Sequence, residues 1–295
     1  MSHEQKKYLK KIKVHQYTIL FFQLLVLVLF LLTWQILSDK NIINSFITSS
    51  PKKIITTITN LYQNNNLFIH INTTIYETLI SFITSFMLGF IIASILWFKR
   101  SIAEILEPYF TILNSLPKVA LGPVILVWGG ANIKSIIIMA ILVSVIITII
   151  NIYQGFINTD HNKIRLMKSF KANKWQIFRM LVIPQNLKNI LSTLKISISM
   201  SLIGVVMGEF LVSKKGIGYL IMYGSQVFNL NLVMTGIVLL CIIASILYYL
   251  IDYIEKKTNK KGSNNWVFLY YLVFLFPVTS SLLPFDKDIL LQRQS

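Results

Sequence analysis

Cysteine occurs once, at Cys241 inside an apolar run, which excludes both a disulfide framework and a cysteine metal site. Charge is scarce: only 13% of the 295 residues are Asp, Glu, Lys or Arg, and the acids number 11 against 28 Lys and Arg. The four histidines, His3, His15, His70 and His161, read as scattered through tails and loops, with no metal cluster or catalytic triad among them. A glycine-rich phosphate loop of the P-loop pattern is missing, so no nucleotide site and no cofactor is expected in this chain. An intramembrane transferase or protease would need facing acids, histidines or an activated serine, and almost none are present. The polar faces that a soluble domain of this length shows between its apolar stripes are missing as well.

What is present is apolar and long. Hydrophobic residues make up 55% of the chain. They gather in six runs, at 17–37, 75–98, 105–128, 135–157, 190–212 and 232–253, each near the roughly 20 residues that cross a bilayer. The fold class expected is all-α, a polytopic bundle of six core helices, with a basic amino terminus at 1–16, a transmembrane domain at 17–257 and an extension at 258–295. The third run holds Pro108, Pro117, Gly122 and Pro123, so it is expected to be kinked or broken. The first is expected to be an uncleaved helix, because it exceeds a signal core and Trp34–Leu37 offers no small-residue cleavage site. A seventh apolar stretch, 266–284, is short and interrupted by Pro277; it fits a crossing, an interfacial segment or an extension outside the core.

The positive charge is placed unevenly. With the amino terminus inside, the inner stretches carry 18 of the 28 Lys and Arg and the outer ones 8, so both ends of the six-helix core are expected in the cytoplasm. This distribution reads the basic excess as membrane orientation rather than nucleic-acid binding. In the first outer loop, Ser50 before Pro51 is a helix start, and Ile54, Ile55, Ile58, Leu61 and Tyr62 follow at helical spacing. That helix lies either along the membrane surface or on its own protein.

The inner loop at 158–189 is far longer than the few residues a connection needs. Trp175, Phe178, Leu181 and Val182 recur at helical spacing, with Lys171, Lys174 and Arg179 on other faces, and Pro184 is expected to end the helix. A long loop with its own amphipathic helix is built to be gripped.

The stretch from Arg165 to Pro184 resembles the cytoplasmic "EAA" loop of binding-protein-dependent ATP-binding cassette permeases. That motif reads Glu-Ala-Ala, three residues, Gly, then Leu-Pro about a dozen positions on. Here Arg165, Leu166 and Met167 stand at the first three positions, Lys171 at the glycine and Pro184 at the proline. Leu116–Pro123 with Leu126–Gly129 resembles the third-helix signature of the nitrate, sulfonate and taurine branch, and Gly208-Glu209-Phe210 with Gly216–Ile221 the end of its fifth helix. The resemblance implies a permease subunit in the bacterial cytoplasmic membrane. It implies a cytoplasmic ATPase docked on the loop, which binds and hydrolyses the ATP, an extracytoplasmic solute-binding protein, and a second copy of the permease. The loop helix, seated by Trp175 and Phe178, is the expected coupling element; the alternative is that both aromatics pack on the chain's own helix ends.

Candidate pathway residues each admit two roles. Ser197, Ser201, Gly204 and Gly208 share one helical face, fit for a translocation path, a dimer seam or packing within the chain. Glu209 is a costly membrane carboxylate, a functional candidate or a structural hydrogen-bond acceptor. Asn114, Pro117 and Pro123 either open backbone groups to the pathway or shape a kink. Glu77 is expected near water at its helix start. The competing class is a standalone secondary transporter or channel, which would usually show repeats and buried coupling charges at midplane, and would leave the long basic loop unexplained. The expected solute is a nitrate-, sulfonate- or taurine-like anion or a vitamin precursor.

Overall fold

The computed structural model describes residues 3–43 and 48–260, and it divides the chain into units Met1–Asp252 and Tyr253–Ser295. In the second unit, the described residues are the closing turns of the last helix. The seventh apolar stretch at 266–284 lies outside the described residues.

Among the described residues, five helices are long and apolar enough to cross a membrane: Tyr17–Asp39, Leu67–Phe98, Ile133–Ile157, Leu187–Val212 and Leu230–Lys257. The first is the apolar part of α1 (His3–Asp39), whose described side chains are mostly exposed, and α1 touches α2 (Pro51–Gln63). At the start of α2, the Ser50 hydroxyl accepts from the Lys53 N–H, and Pro51 occupies the first turn, where its missing donor costs nothing. The second span is α3 (Leu67–Phe98), which begins eight residues before the apolar run at 75.

The expected break in the third run is observed. Here α4 (Arg100–Ser115) ends where Leu116 turns extended, as the Pro117 ring demands of the residue before it. A single 3₁₀ turn, Lys118–Leu121, leads into the short helix α5 (Gly122–Gly129). Pro108 sits inside α4 without ending it. The remaining spans are α6 (Ile133–Ile157), α10 (Leu187–Val212) and α12 (Leu230–Lys260).

The core lies where α6 meets α3 and α10. In lipid, close van der Waals packing holds helices together, and small residues permit it. A side chain at Gly89 would meet Thr148 at 2.6 Å, one at Gly204 the Ala140 Cα at 2.5 Å, and one at Gly208 the Ile136 side chain at 2.8 Å. The Thr148 hydroxyl also donates to the Ser144 carbonyl and pairs with the Ser197 hydroxyl across the α6–α10 contact. An ion pair between Lys195 and Asp252, 2.5 Å apart, ties α10 to α12, with the Tyr248 ring 5.3 Å from the ammonium.

Candidate functional site

The connection after α6 is a folded unit. Asp160 caps α7 (His161–Ser169) by accepting from the Asn162 N–H at 2.8 Å. The helix then stops in a Schellman turn: Lys171 N–H reaches the Lys168 carbonyl at 2.8 Å and Ala172 N–H the Met167 carbonyl at 3.1 Å. Such a turn places its C′ residue in the left-handed region, and Lys171 has φ +58°. The glycine of the resembled motif falls at this position, where glycine avoids the Cβ penalty. Replacing Lys171 with glycine is expected to stabilise the chain by about 1 kcal/mol, read as a raised unfolding temperature in detergent.

Asn173 opens α8 (Lys174–Ile177) with a reciprocal box, its side chain accepting from Gln176 N–H while the Gln176 side chain accepts from Asn173 N–H, both at 2.8 Å. The expectation that Pro184 ends this helix is overturned. Phe178–Val182 form a π turn, and Pro184 lies within α9 (Ile183–Gln185), which continues toward α10. Ile183 N–H bonds the Phe178 carbonyl five residues back, and this wider turn accommodates a ring that cannot bond four residues back. Asn186 steadies the join, its side-chain amide donating to the Thr159 hydroxyl and the Val182 carbonyl, both at 2.8 Å.

Aromatic packing seats this unit on the ends of α3 and α6. Phe178 is buried, with ring centroids 5.0 Å from Trp97, 5.0 Å from Phe98 and 5.3 Å from Phe156. Trp175 stacks on Phe98 at 6.0 Å but remains half exposed. Packing on the chain's own helix ends is therefore the role observed for Phe178. The outward surface is instead made by Leu166, Phe170 and Trp175, with Arg165, Lys168 and Lys171 around them. Phe170 is 75% exposed, yet the apolar spacing that starts at Lys174 does not reach it. Its only sequence signal is an aromatic standing among lysines.

The pathway candidates separate into two sets. Asn114, Pro117 and Pro123 lie exposed on the broken segment, and Asn114 accepts from Lys118 Nζ at 3.2 Å. Ser197, Ser201, Gly204 and Gly208 are buried between helices, with Gly204 and Gly208 packed against α6, which is the intrachain-packing role among those open to this stripe. Glu209, 1% exposed, is part of a buried cradle.

That cradle caps α11 (Ile217–Gln226). Three backbone donors at its start find side-chain acceptors on other helices. Gly216 N–H reaches His70 Nδ1 at 3.0 Å, Ile217 N–H the Thr74 hydroxyl at 2.8 Å, and Gly218 N–H the Glu209 Oε2 at 2.6 Å. The Thr74 hydroxyl in turn donates to Glu209 Oε1 at 2.7 Å. Gly216 has φ +103°, and a side chain there would collide with the Glu209 carboxylate. Two expectations fall here. His70 belongs to no loop but to the first turn of α3, buried and stacked on Tyr219, and Glu77 is fully buried rather than near water. Among the described residues, no three His, Cys, Asp or Glu side chains are grouped to hold a metal ion.

A bundle of membrane-length helices around a packed glycine-rich core, with a rigid basic loop standing on its end, defines the membrane subunit of a transport system. A family model described as binding-protein-dependent transport system inner membrane component matches residues 85–260, and the chain belongs to that family. A Haemophilus influenzae protein named as an ABC transporter permease is 27% identical over 234 residues, covering 79% of this chain and 95% of that protein. A Bacillus subtilis permease named for aliphatic sulfonates transport is 24% identical, over 77% of this chain and 82% of its own length. In fold, the chain is similar to a solved structure of the inward-facing MetNI methionine ABC transporter, with TM-score 0.56 and 17% identity, over 65% of this chain and 96% of that one. The chain is thus a multi-pass transport component and not an enzyme.

Proposed function

We propose that this permease is driven by a cytoplasmic ATPase that grips the outward face of the unit at 160–185, and that it imports a small solute handed over by an extracytoplasmic binding protein. The observation that carries this reading is the seating of the loop: buried Phe178 fixes it to α3 and α6, while Phe170, Leu166 and Trp175 are left outward. A rigid element joined to two core helices transmits a push into the bundle, as coupling between distant sites requires. The excess of Lys and Arg in the inner loops supports a cytoplasmic position for the amino terminus and for this unit. ATP is bound by the partner, and two ATPase subunits call for two permease copies.

The pathway runs along the broken segment, where Asn114, Pro117 and Pro123 are exposed. The solute is a small anion of the sulfonate, taurine or nitrate kind or a vitamin precursor; the name of the Bacillus relative supports the sulfonate class. Glu209 does not repel such an anion from the pathway, because its carboxylate is enclosed by α3 and α11.

Coexpression with the neighbouring ATPase tests the reading. Wild type is expected to bring the ATPase through detergent purification, and a Leu166→Glu, Phe170→Glu double variant to lose it while eluting at the wild-type position. Retention of the ATPase by that variant would place the grip elsewhere, and failure of wild type to bring it would favour a standalone transporter.

A further inference from the structure

A buried polar line runs where α3 meets α10. On α3 it comprises His70, Thr74, Glu77 and Ser81, spaced four, three and four, so that all fall on one face. On α10 it comprises Glu209 and, two turns away, Ser201. The end of the line nearest α11 is fully satisfied by the cradle. The rest is not: the hydroxyls of Ser81 and Ser201 are sealed from solvent with no hydrogen-bond partner, and the Glu77 carboxyl, equally sealed, has no N–H or hydroxyl on it and only the Glu209 carboxyl within reach.

The Glu77 carboxyl lies within hydrogen-bonding reach of the Glu209 carboxyl. Among the described residues, no cation faces the pair from the elements around it. On α3, His70 accepts a hydrogen bond at Nδ1 and so carries no proton there. On α11, the nearest titratable group is Tyr219, stacked on that imidazole. In the connecting segment Lys214 and Lys215 are exposed, as is Lys134 at the start of α6. Two ionised carboxylates in this setting would repel with nothing to offset them, and a buried charge without a partner is among the costliest arrangements in a fold. The two acids are not equivalent. Glu209 receives an O–H and an N–H and lies at the amino end of α11, where the helix dipole favours negative charge. Glu77 receives no N–H and no hydroxyl, and has only the Glu209 carboxyl to meet.

We propose that Glu77 is a proton-binding site: it holds one proton inside the membrane and presents it to Glu209, so that the pair carries a single negative charge that caps α11. The proton joins α3 to α10 at the level where the cradle joins both to α11. A neutral Glu77 has a donor to give and needs no counter-ion, which is what an acid without cationic neighbours requires. The site is independent of the solute and of the ATPase.

Infrared spectroscopy of the full-length protein in detergent at neutral pH reads this directly. Wild type is expected to show a carboxylic-acid C=O band that shifts in D₂O, and Glu77→Gln to lose it. The glutamine variant is expected to remain as heat-resistant as wild type, since its amide donates to Glu209 where the acid did. A wild-type spectrum without the band would overturn the proposal whether or not any variant folds. So would a band undiminished in Glu77→Gln.

Discussion

Glu209→Ala is expected to cost at least about 4 kcal/mol, because it strands the Gly218 and Thr74 donors at roughly 1–3 kcal/mol each and leaves the Glu77 proton without its acceptor. The Gly218 N–H and the Thr74 O–H both point at this carboxylate from 2.6 and 2.7 Å. Water cannot replace the lost acceptor, since the residues around it are buried on α3, α10 and α11. The damage spreads along one chain of bonds: Thr74 also accepts from Ile217, and His70 from Gly216, so the start of α11 loses its seat as a unit. Glu209→Gln keeps the volume and one acceptor oxygen but turns an N–H₂ toward one of the two donors, and about half the loss is expected. Thermal unfolding in detergent, followed by loss of the monodisperse species, checks the order wild type, Gln, Ala; an alanine variant as stable as wild type would remove the cradle from the account.

Phe178→Ala is expected to cost about 3–5 kcal/mol, the usual range for emptying a buried aromatic site. Its ring touches Trp97, Phe98, Phe156 and Trp175, so its removal opens the joint between the loop unit and two core helices. The consequence is local before it is global. Trypsin is expected to cut the variant at Lys163–Arg179 sooner than wild type, because the loop opens without the bundle unfolding. Trp175→Ala, at a half-exposed ring, is expected to cost no more than about 1.5 kcal/mol and to leave the digestion pattern nearly unchanged. Equal digestion of all three proteins would mean that the aromatics do not hold the loop.

Much of this fold was legible because its signals are local. Run length marks the spans, Pro117 forces the break after Ser115, and the Ser50-Pro51 pair starts α2. One helix of the loop showed in the spacing of Trp175, Phe178, Leu181 and Val182. What stayed hidden depends on partners far along the chain. Glu77 reads as a helix-start acid near water until Glu209, 132 positions later, is packed beside it. His70 reads as a loop residue because the apolar run begins only at 75, yet its acceptor nitrogen answers a donor at Gly216. The Ser197–Gly208 stripe shows which residues share a face but not that α6 covers it. Pro184 breaks an α-helix by rule, and only the π turn before it shows how the chain passes through. Lys171 is the reverse case: the motif's glycine marked a left-handed position that this chain occupies with a lysine.

Site-directed cross-linking tests the central claim most directly, that an ATPase drives this permease through the 160–185 unit. In a Cys241→Ser background, which removes the single exposed thiol, a cysteine at Phe170 would carry a short cross-linker in membranes holding the coexpressed ATPase. The account predicts an adduct with the ATPase from Phe170→Cys and none from Lys214→Cys, at the opposite end of α10. No adduct from position 170, or an equal one from position 214, would contradict it.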